Sequence, residues 1–205
     1  MTNTLTIPTK QGNSKFHIGE YEGDCKISYT AYEVGDLAPI NESTYESFVK
    51  VIAEVEKRNC KTKKIMFSSS GGNVSAAIKI GMLINQHGYE TTLQLGAGCS
   101  SACGIIFIAG KERTALISKS LGESRIGFHQ VSKPDAKGNK ICSEPSAPEY
   151  RAIENYARNV LSTATSNNFI ALMKSTSCKS MLYVTANDLE KLGIATKVTP
   201  HAWGI

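Results

Sequence analysis

The feature that most constrains this chain is a unit that occurs twice: a short apolar run ends in a turn of small residues and passes straight into a helix. Ile65, Met66 and Phe67 lead into Ser-Ser-Ser-Gly-Gly, after which Asn73 is placed to cap a helix from Val74 to His87, with Gly88 at the C′ position. Thr91 to Leu95 lead into Gly96-Ala97-Gly98-Cys99-Ser100 and a helix from Ser101 to Ala109, and a further strand runs from Arg125 to His129. Strands alternating with helices predict an α/β fold built on a parallel sheet, whose strand ends gather ligands and catalytic groups.

Upstream, CKISYTAYEV alternates as a strand does. Ser43 with Glu46 reads as a capping box ahead of an apolar helix face of Tyr45, Phe48, Val49, Ile52 and Val55. After His129 comes a long polar loop. A helix resumes near Glu149 with Ile153, Tyr156, Ala157, Val160 and Leu161, and a last helix starts at Thr185 with Asp188 and stops at Gly193, so the C-terminal third is mainly helical. Residues 1–24 show no sustained periodicity and read as a leader, partly disordered or edge-packed; residues 25–205 read as a single domain.

Hydrophobic residues at 41% and charged residues at 20% are those of a folded globular domain. The net charge of +5 is scattered apart from Lys61, Lys63 and Lys64, so no nucleic-acid partner is expected. No apolar run is long enough to span a membrane, and the first 24 residues hold no signal-peptide pattern. Six cysteines point instead to an oxidising compartment. The two observations agree if a signal peptide has been removed and Met1 was added afterwards, which makes the chain periplasmic or secreted; otherwise it is cytoplasmic.

The two turns have the makings of an acyl-transfer site. Gly71 and Gly72 let backbone N–H groups approach a ligand, and Ser101 opens a helix whose first N–H groups, Ala102 among them, have no carbonyl to bind. Gly71, Gly72 and Ala102 are therefore the expected oxyanion hole, Ser101 the nucleophile and His129 its base. His129 ends a strand at the same sheet edge, whereas His87 closes a helix and His17 lies in the leader.

The strings SSSGGNVSAAIKIG, CSSACGIIFIAGKERT and SRIGFHQ, with a helix from Tyr150 to Ser162 and the closing segment LYVTANDLEKLGIATKV, resemble the ClpP/crotonase superfamily. The combination of Cys-Ser-Ser-Ala-Cys, Gly-Lys-Glu-Arg and Ile-Gly-Phe-His is most similar to the ClpP-like predicted periplasmic proteins of bacteria. The resemblance covers roughly residues 25–199. It implies a crotonase-like fold, a serine hydrolase of peptidase type acting on a peptide or protein substrate, no cofactor, and a homo-oligomer. It places Ser101 and His129 on the nucleophile and base positions, and Ser70 where the family has proline. The family's triad aspartate falls on Met181, so the resemblance implies a Ser-His dyad or an incomplete triad oriented by a backbone carbonyl, an amide such as Asn187, or water. The alternative is an inactive ClpP-like binding or assembly module.

Cys99 and Cys103 flank Ser101 and can form a disulfide, a metal pair or packed thiols; a metal is not expected without histidines nearby. Cys25 and Cys60 stand at neighbouring parallel strands and would pair, leaving Cys142 for Cys178, although six cysteines allow about 15 connectivities. Two other enzyme readings compete. Gly98-Cys99-Ser100-Ser101-Ala102 half-matches the Gly-x-Ser-x-Gly turn of α/β-hydrolases, with Ser100 as nucleophile and His201 as base, but Ala102 replaces the last glycine. A crotonase-type enzyme acting on a CoA thioester would share the paired N–H groups without needing Ser101 or His129.

Overall fold

The computed structural model describes residues 4–10, 14–31, 37–96 and 98–200. Six helices appear among them: α1 (Glu42–Glu56), α2 (Val74–Gln86), α3 (Ala102–Phe107), α4 (Pro148–Val160), α5 (Thr163–Ser175) and α6 (Ala186–Lys191). The middle of the main sheet is parallel, as the alternation requires, with strands Asp24–Ala31, Thr62–Phe67, Glu90–Thr92 and Arg113–Ser118 side by side and Lys197–Pro200 beyond them. Neither of the last two strands was legible from periodicity. This is the α/β fold expected, with a mixed rather than wholly parallel sheet.

The outer part of the sheet is built from the first 24 residues. Leu5–Pro8 and Ser14–Tyr21 form two antiparallel strands that extend the sheet beyond Asp24–Ala31. Phe16 and Ile18 alternate inward and are fully buried, a period-2 signal too short to stand out among the polar residues around it.

Helix α1 buries Phe48, Val51, Ile52 and Val55 against the core, but Val49 is 43% exposed because it lies one residue, about 100°, round from Phe48 and off that stripe. Its cap is Asn41 rather than Ser43: Asn41 Oδ1 accepts the N–H of Thr44, and Thr44 Oγ1 accepts that of Asn41. Helix α2 has the expected cap, with Asn73 Oδ1 accepting the N–H of Ala76 at 2.9 Å and Gly88 in the left-handed region just past the end.

A second layer is built where the small-residue turns leave the main sheet. Pro39–Ile40 pairs in parallel with Gly71–Gly72, Cys99–Ser100 pairs in parallel with Arg125–Phe128, and an isolated bridge from Ser69 to Cys99 joins the two ladders. Leu182–Thr185 closes the far side, antiparallel to Arg125–Phe128. The strand expected to end at His129 therefore belongs to this layer and not to the main sheet. Pro39–Ile40, Gly71–Gly72 and Cys99–Ser100 are two-residue strands without periodicity, which is why the sequence showed the strand at Arg125 but not the layer it belongs to.

The helical layer is keyed together at Gly81. A Cβ there would lie 1.9 Å from the hydroxyl of Tyr156, which is buried and donates to the carbonyl of Ile105 at 3.0 Å. One contact thus joins α2, α3 and α4. Gly81→Ala is expected to cost about 1–3 kcal/mol of stability, as overpacking does, and Tyr156→Phe about 1 kcal/mol, read from urea denaturation midpoints at constant slope.

Candidate active site

Ser101 has φ 55° and ψ −120°, a backbone conformation that a residue with a Cβ adopts at a cost of about 1–3 kcal/mol. The surroundings hold it there. Its N–H donates to the carbonyl of Gly127 at 2.7 Å, and its carbonyl accepts the N–H of Gly104 at 2.9 Å. A disulfide between Cys99 and Cys103 closes over it, which removes both sulfurs as a metal pair, and α3 behind it is wholly buried. Its side chain is left half-buried at the start of the helix. Ser100 is not the exposed nucleophile of the α/β-hydrolase reading, since it is 5% exposed and its hydroxyl packs over Gly127. His201 lies outside the described residues.

Gly71 is pressed against Ser101. A Cβ on it would stand 2.7 Å from both Ser101 Cβ and the Ser100 carbonyl, and with φ 98° it needs the left-handed region as well. Its N–H is already used, donating at 3.1 Å to the hydroxyl of Ser69, which is fully buried and itself donates to the carbonyl of Ala38. Gly72 differs. Segment 69–72 runs between segment 38–40 on one side and segment 98–101 on the other, through Asn73 N–H to Ile40 O at 2.8 Å and Ser100 N–H to Ser69 O at 3.0 Å. Because N–H directions alternate along a strand and that of Asn73 faces Ile40, the N–H of Gly72 faces the Ser101 side. Ala102 is the first residue of α3, where no helical carbonyl four residues back can take its N–H.

His129 follows Phe128 in the strand beside Ser101. The register pairs Gly127 with Ser100, so Ser101 stands opposite Phe128 and His129 is one step further along a strand about 4.8 Å away. The ring is 6% exposed, and its Nδ1 lies 2.6 Å from the carbonyl oxygen of Gln130. A carbonyl can only accept, so the proton is on Nδ1 and Nε2 carries the free lone pair. The Ser101 hydroxyl is not hydrogen-bonded to it in this structure; such contacts commonly tighten only when substrate is bound. Burial holds the imidazole below its ordinary value, Gln130 pulls it back up, and nearby Lys140 pushes it down.

The other edge of the histidine strand brings in Met181, the position on which the resemblance places the family's aspartate. Phe128 pairs with Leu182 in the antiparallel ladder, so its next step sets Met181 opposite His129. The Met181 sulfur covers Gly127, where a Cβ would lie 2.7 Å from it. Asn187, the other candidate for orienting the ring, donates to Glu123 on the exposed surface. Ser69, Gly127 and Gln130 were not singled out from sequence: the serine run and the glycine inside SRIGFH hinted at the first two, whereas a backbone carbonyl leaves no signal.

The six cysteines form three disulfides, Cys25–Cys60, Cys99–Cys103 and Cys142–Cys178, which point to an oxidising compartment. Among the described residues no helix is long and apolar enough to cross a membrane.

The family model described as Clp protease matches residues 33–202, a span that contains every residue of this site but not the first three strands. Among solved structures the chain is similar to a lysine-to-alanine mutant of the 1510-N membrane-bound stomatin-specific protease in complex with a substrate peptide, with TM-score 0.61 and 18% identity over 78% of this chain and 71% of that one. It is similar to the ClpP protease catalytic domain from Plasmodium falciparum, with TM-score 0.57 and 17% identity over 82% and 84% of the two chains. An enoyl-CoA hydratase/isomerase family protein from Pseudomonas syringae aligns with TM-score 0.58 and 11% identity over 89% and 75%. At these identities the structures show a shared fold. No curated protein sequence matches the chain.

The lowered proton affinity of His129 has two consequences. Reactivity that needs the neutral ring is expected to be flat above about pH 6.5 and to fall only below it; an acid limb centred above that value would contradict the assignment. The unfolded chain takes up this proton first, so folding stability is expected to drop as pH falls from about 6.5 through the folded-state value, as denaturation midpoints across that range would register.

Proposed function

The chain belongs to the Clp protease family, and from that premise we propose that it is a serine peptidase in which Ser101 attacks the substrate carbonyl and His129 takes and returns the proton. The observation that carries the reading is the pairing of a strained Ser101 at the head of a buried helix with a buried His129 whose Nδ1–H is held by the Gln130 carbonyl. That bond leaves Nε2 as the proton acceptor, the part an aspartate plays in a full triad. The carbonyl provides orientation without a full negative charge, so the imidazolium formed during attack is less stabilised than in an Asp-containing site.

The N–H groups of Gly72 and Ala102 are the oxyanion donors in this reading. Gly71 provides the clearance that lets the two segments approach, since its own N–H is committed to Ser69. Peptides or unfolded protein segments are the substrate class, in keeping with the family. No cofactor takes part. The disulfides favour the periplasm or the exterior of the cell, and the family favours a homo-oligomer, so light scattering of the purified protein is expected to give a multiple of 22.1 kDa; a monomer would remove that part of the proposal.

Labelling with a fluorophosphonate, read by intact mass, tests the chemistry. Wild type is expected to gain one adduct, and Ser101→Ala and His129→Ala to lose it; removing one oxyanion donor typically costs about 10²–10³ in rate, so an N-methylated or displaced Gly72 should label slowly. Folded wild type that does not label would shift the reading to a non-catalytic binding or assembly module, which Met181 opposite His129 favours.

A further inference from the structure

His129 owes its orientation to a backbone carbonyl, and the two residues that share its peptide unit, Gln130 and Val131, are held by segments that a disulfide ties together. On one side Gln130 N–H donates to the carbonyl of Thr176 at 2.8 Å, and its side-chain amide donates to Lys174 O at 3.3 Å. On the other, the Val131 carbonyl accepts the N–H of Ser143 at 2.7 Å, while the Val131 N–H donates to the Tyr150 hydroxyl at 3.0 Å. Thr176 lies two residues before Cys178, and Ser143 directly follows Cys142. The Cys142–Cys178 bridge therefore closes a ring that runs Gln130, Thr176, Cys178, Cys142, Ser143, Val131 and back to Gln130.

We infer that the Cys142–Cys178 disulfide is a positioning device for His129 and that its reduction switches the site off. The catalytic part rests on the hydrolase reading; the positioning part stands on the ring of bonds alone. Nothing else in this ring is covalent across the gap between residues 142 and 178, and the hairpin Ser132–Pro134 with Lys140–Cys142 that carries Cys142 is mostly exposed. With the bridge open, residues 130–131 are held by hydrogen bonds alone: those to Thr176 and Ser143 lie on segments no longer tied together, only the Val131 N–H to the buried Tyr150 hydroxyl is unaffected, and the Gln130 carbonyl is held less firmly against Nδ1.

The chemistry is ordinary thiol-disulfide exchange with a dithiol, either a small molecule or a protein with a Cys-x-x-Cys pair. One thiolate of the dithiol attacks Cys142 Sγ, which is half-buried where Cys178 is 2% exposed; the Sγ–Sγ bond breaks and Cys178 leaves as thiolate and takes a proton. The second thiolate then attacks its partner sulfur in the mixed disulfide and releases Cys142. Two electrons and two protons pass to the protein, and the dithiol becomes a disulfide. The N–H of Cys178, 3.0 Å from Cys142 Sγ, is placed to stabilise Cys142 when it is released as thiolate in the second step. Cys99 and Cys103 are both buried, so they are the less accessible target near the site.

The test uses protein carrying ¹⁵N-labelled histidine, with ring nitrogen shifts reporting the His129 tautomer and fluorophosphonate labelling reporting Ser101. Oxidised wild type is expected to hold the Nδ1–H tautomer above pH 6.5. Wild type reduced by dithiothreitol, with its freed thiols located by alkylation and mass, and the Cys142→Ser/Cys178→Ser variant should both lose that preference, and labelling should slow about 10²-fold, the loss expected from a misplacement near 1 Å. The Cys25→Ser/Cys60→Ser variant, whose bridge lies at the far strands, should keep both. An unchanged tautomer with the bridge open would overturn the inference, as would equal loss in the Cys25→Ser/Cys60→Ser protein. Unfolding of both the reduced wild type and the Cys142→Ser/Cys178→Ser variant would overturn it too, since a bridge needed by the whole fold is not a local positioning device. A tautomer that responds to the bridge in a protein that never labels would leave the positioning role intact and refute the hydrolase reading instead.

Discussion

The backbone bond from Ser101 N–H to Gly127 O, 2.7 Å long, is the contact on which the site depends. It carries the strand of His129 alongside the turn that ends in Ser101, and it keeps Ser101 in a conformation that its own side chain disfavours. Neighbouring bonds act in the same direction: Ser69 N–H to Gly98 O and Ser100 N–H to Ser69 O carry the ladder across to Gly71 and Gly72. The next link is Ile40, and behind it the Tyr29 hydroxyl joins Ser14, Thr44 and the Pro39 carbonyl. Even the strand Ser14–Tyr21 is therefore connected to the site through one buried phenol.

Glycine sets the spacing of this layer. At Gly71 a Cβ would strike Ser101, at Gly72 it would strike Ile40, and at Gly127 it would strike Met181 and the Ser100 hydroxyl. Backbones approach so closely that side chains are excluded. A layer of two-residue ladders and one four-residue ladder has little intrinsic stability. Its order comes from the main sheet below, from α3, and from the disulfides at Cys99–Cys103 and Cys142–Cys178.

Much of this was legible in the residues, and what was not has a common cause. The buried strand Ile65 to Phe67, the Asn73 cap and the Ser-Gly-Gly turn carry strong local signals, and the placement of Ser101 and His129 followed from the turns. The antiparallel strands before residue 24 escaped notice because their inward apolar residues, Leu5 with Ile7 and Phe16 with Ile18, come in pairs too short to stand out among polar neighbours. Apart from the strand at Arg125, the second layer escaped, in the main because three of its strands have two residues and no period. The role of Gln130 escaped because backbone atoms are the same in every residue, so the sequence cannot announce which carbonyl a histidine will find.

That last point bears on how such a site changes over generations. An orienting aspartate is written in one codon and a single base change can erase it. The acceptor beside His129 is a main-chain oxygen, present whatever residue stands at position 130, so no replacement of that side chain deletes it. Drift can remove it only by shifting the backbone, through an insertion, a deletion or the loss of an anchoring cysteine. A lineage that lost its carboxylate at the Met181 position while keeping this carbonyl would have exchanged dependence on one side chain beside the ring for dependence on loop length and on two cysteines distant from it in the chain.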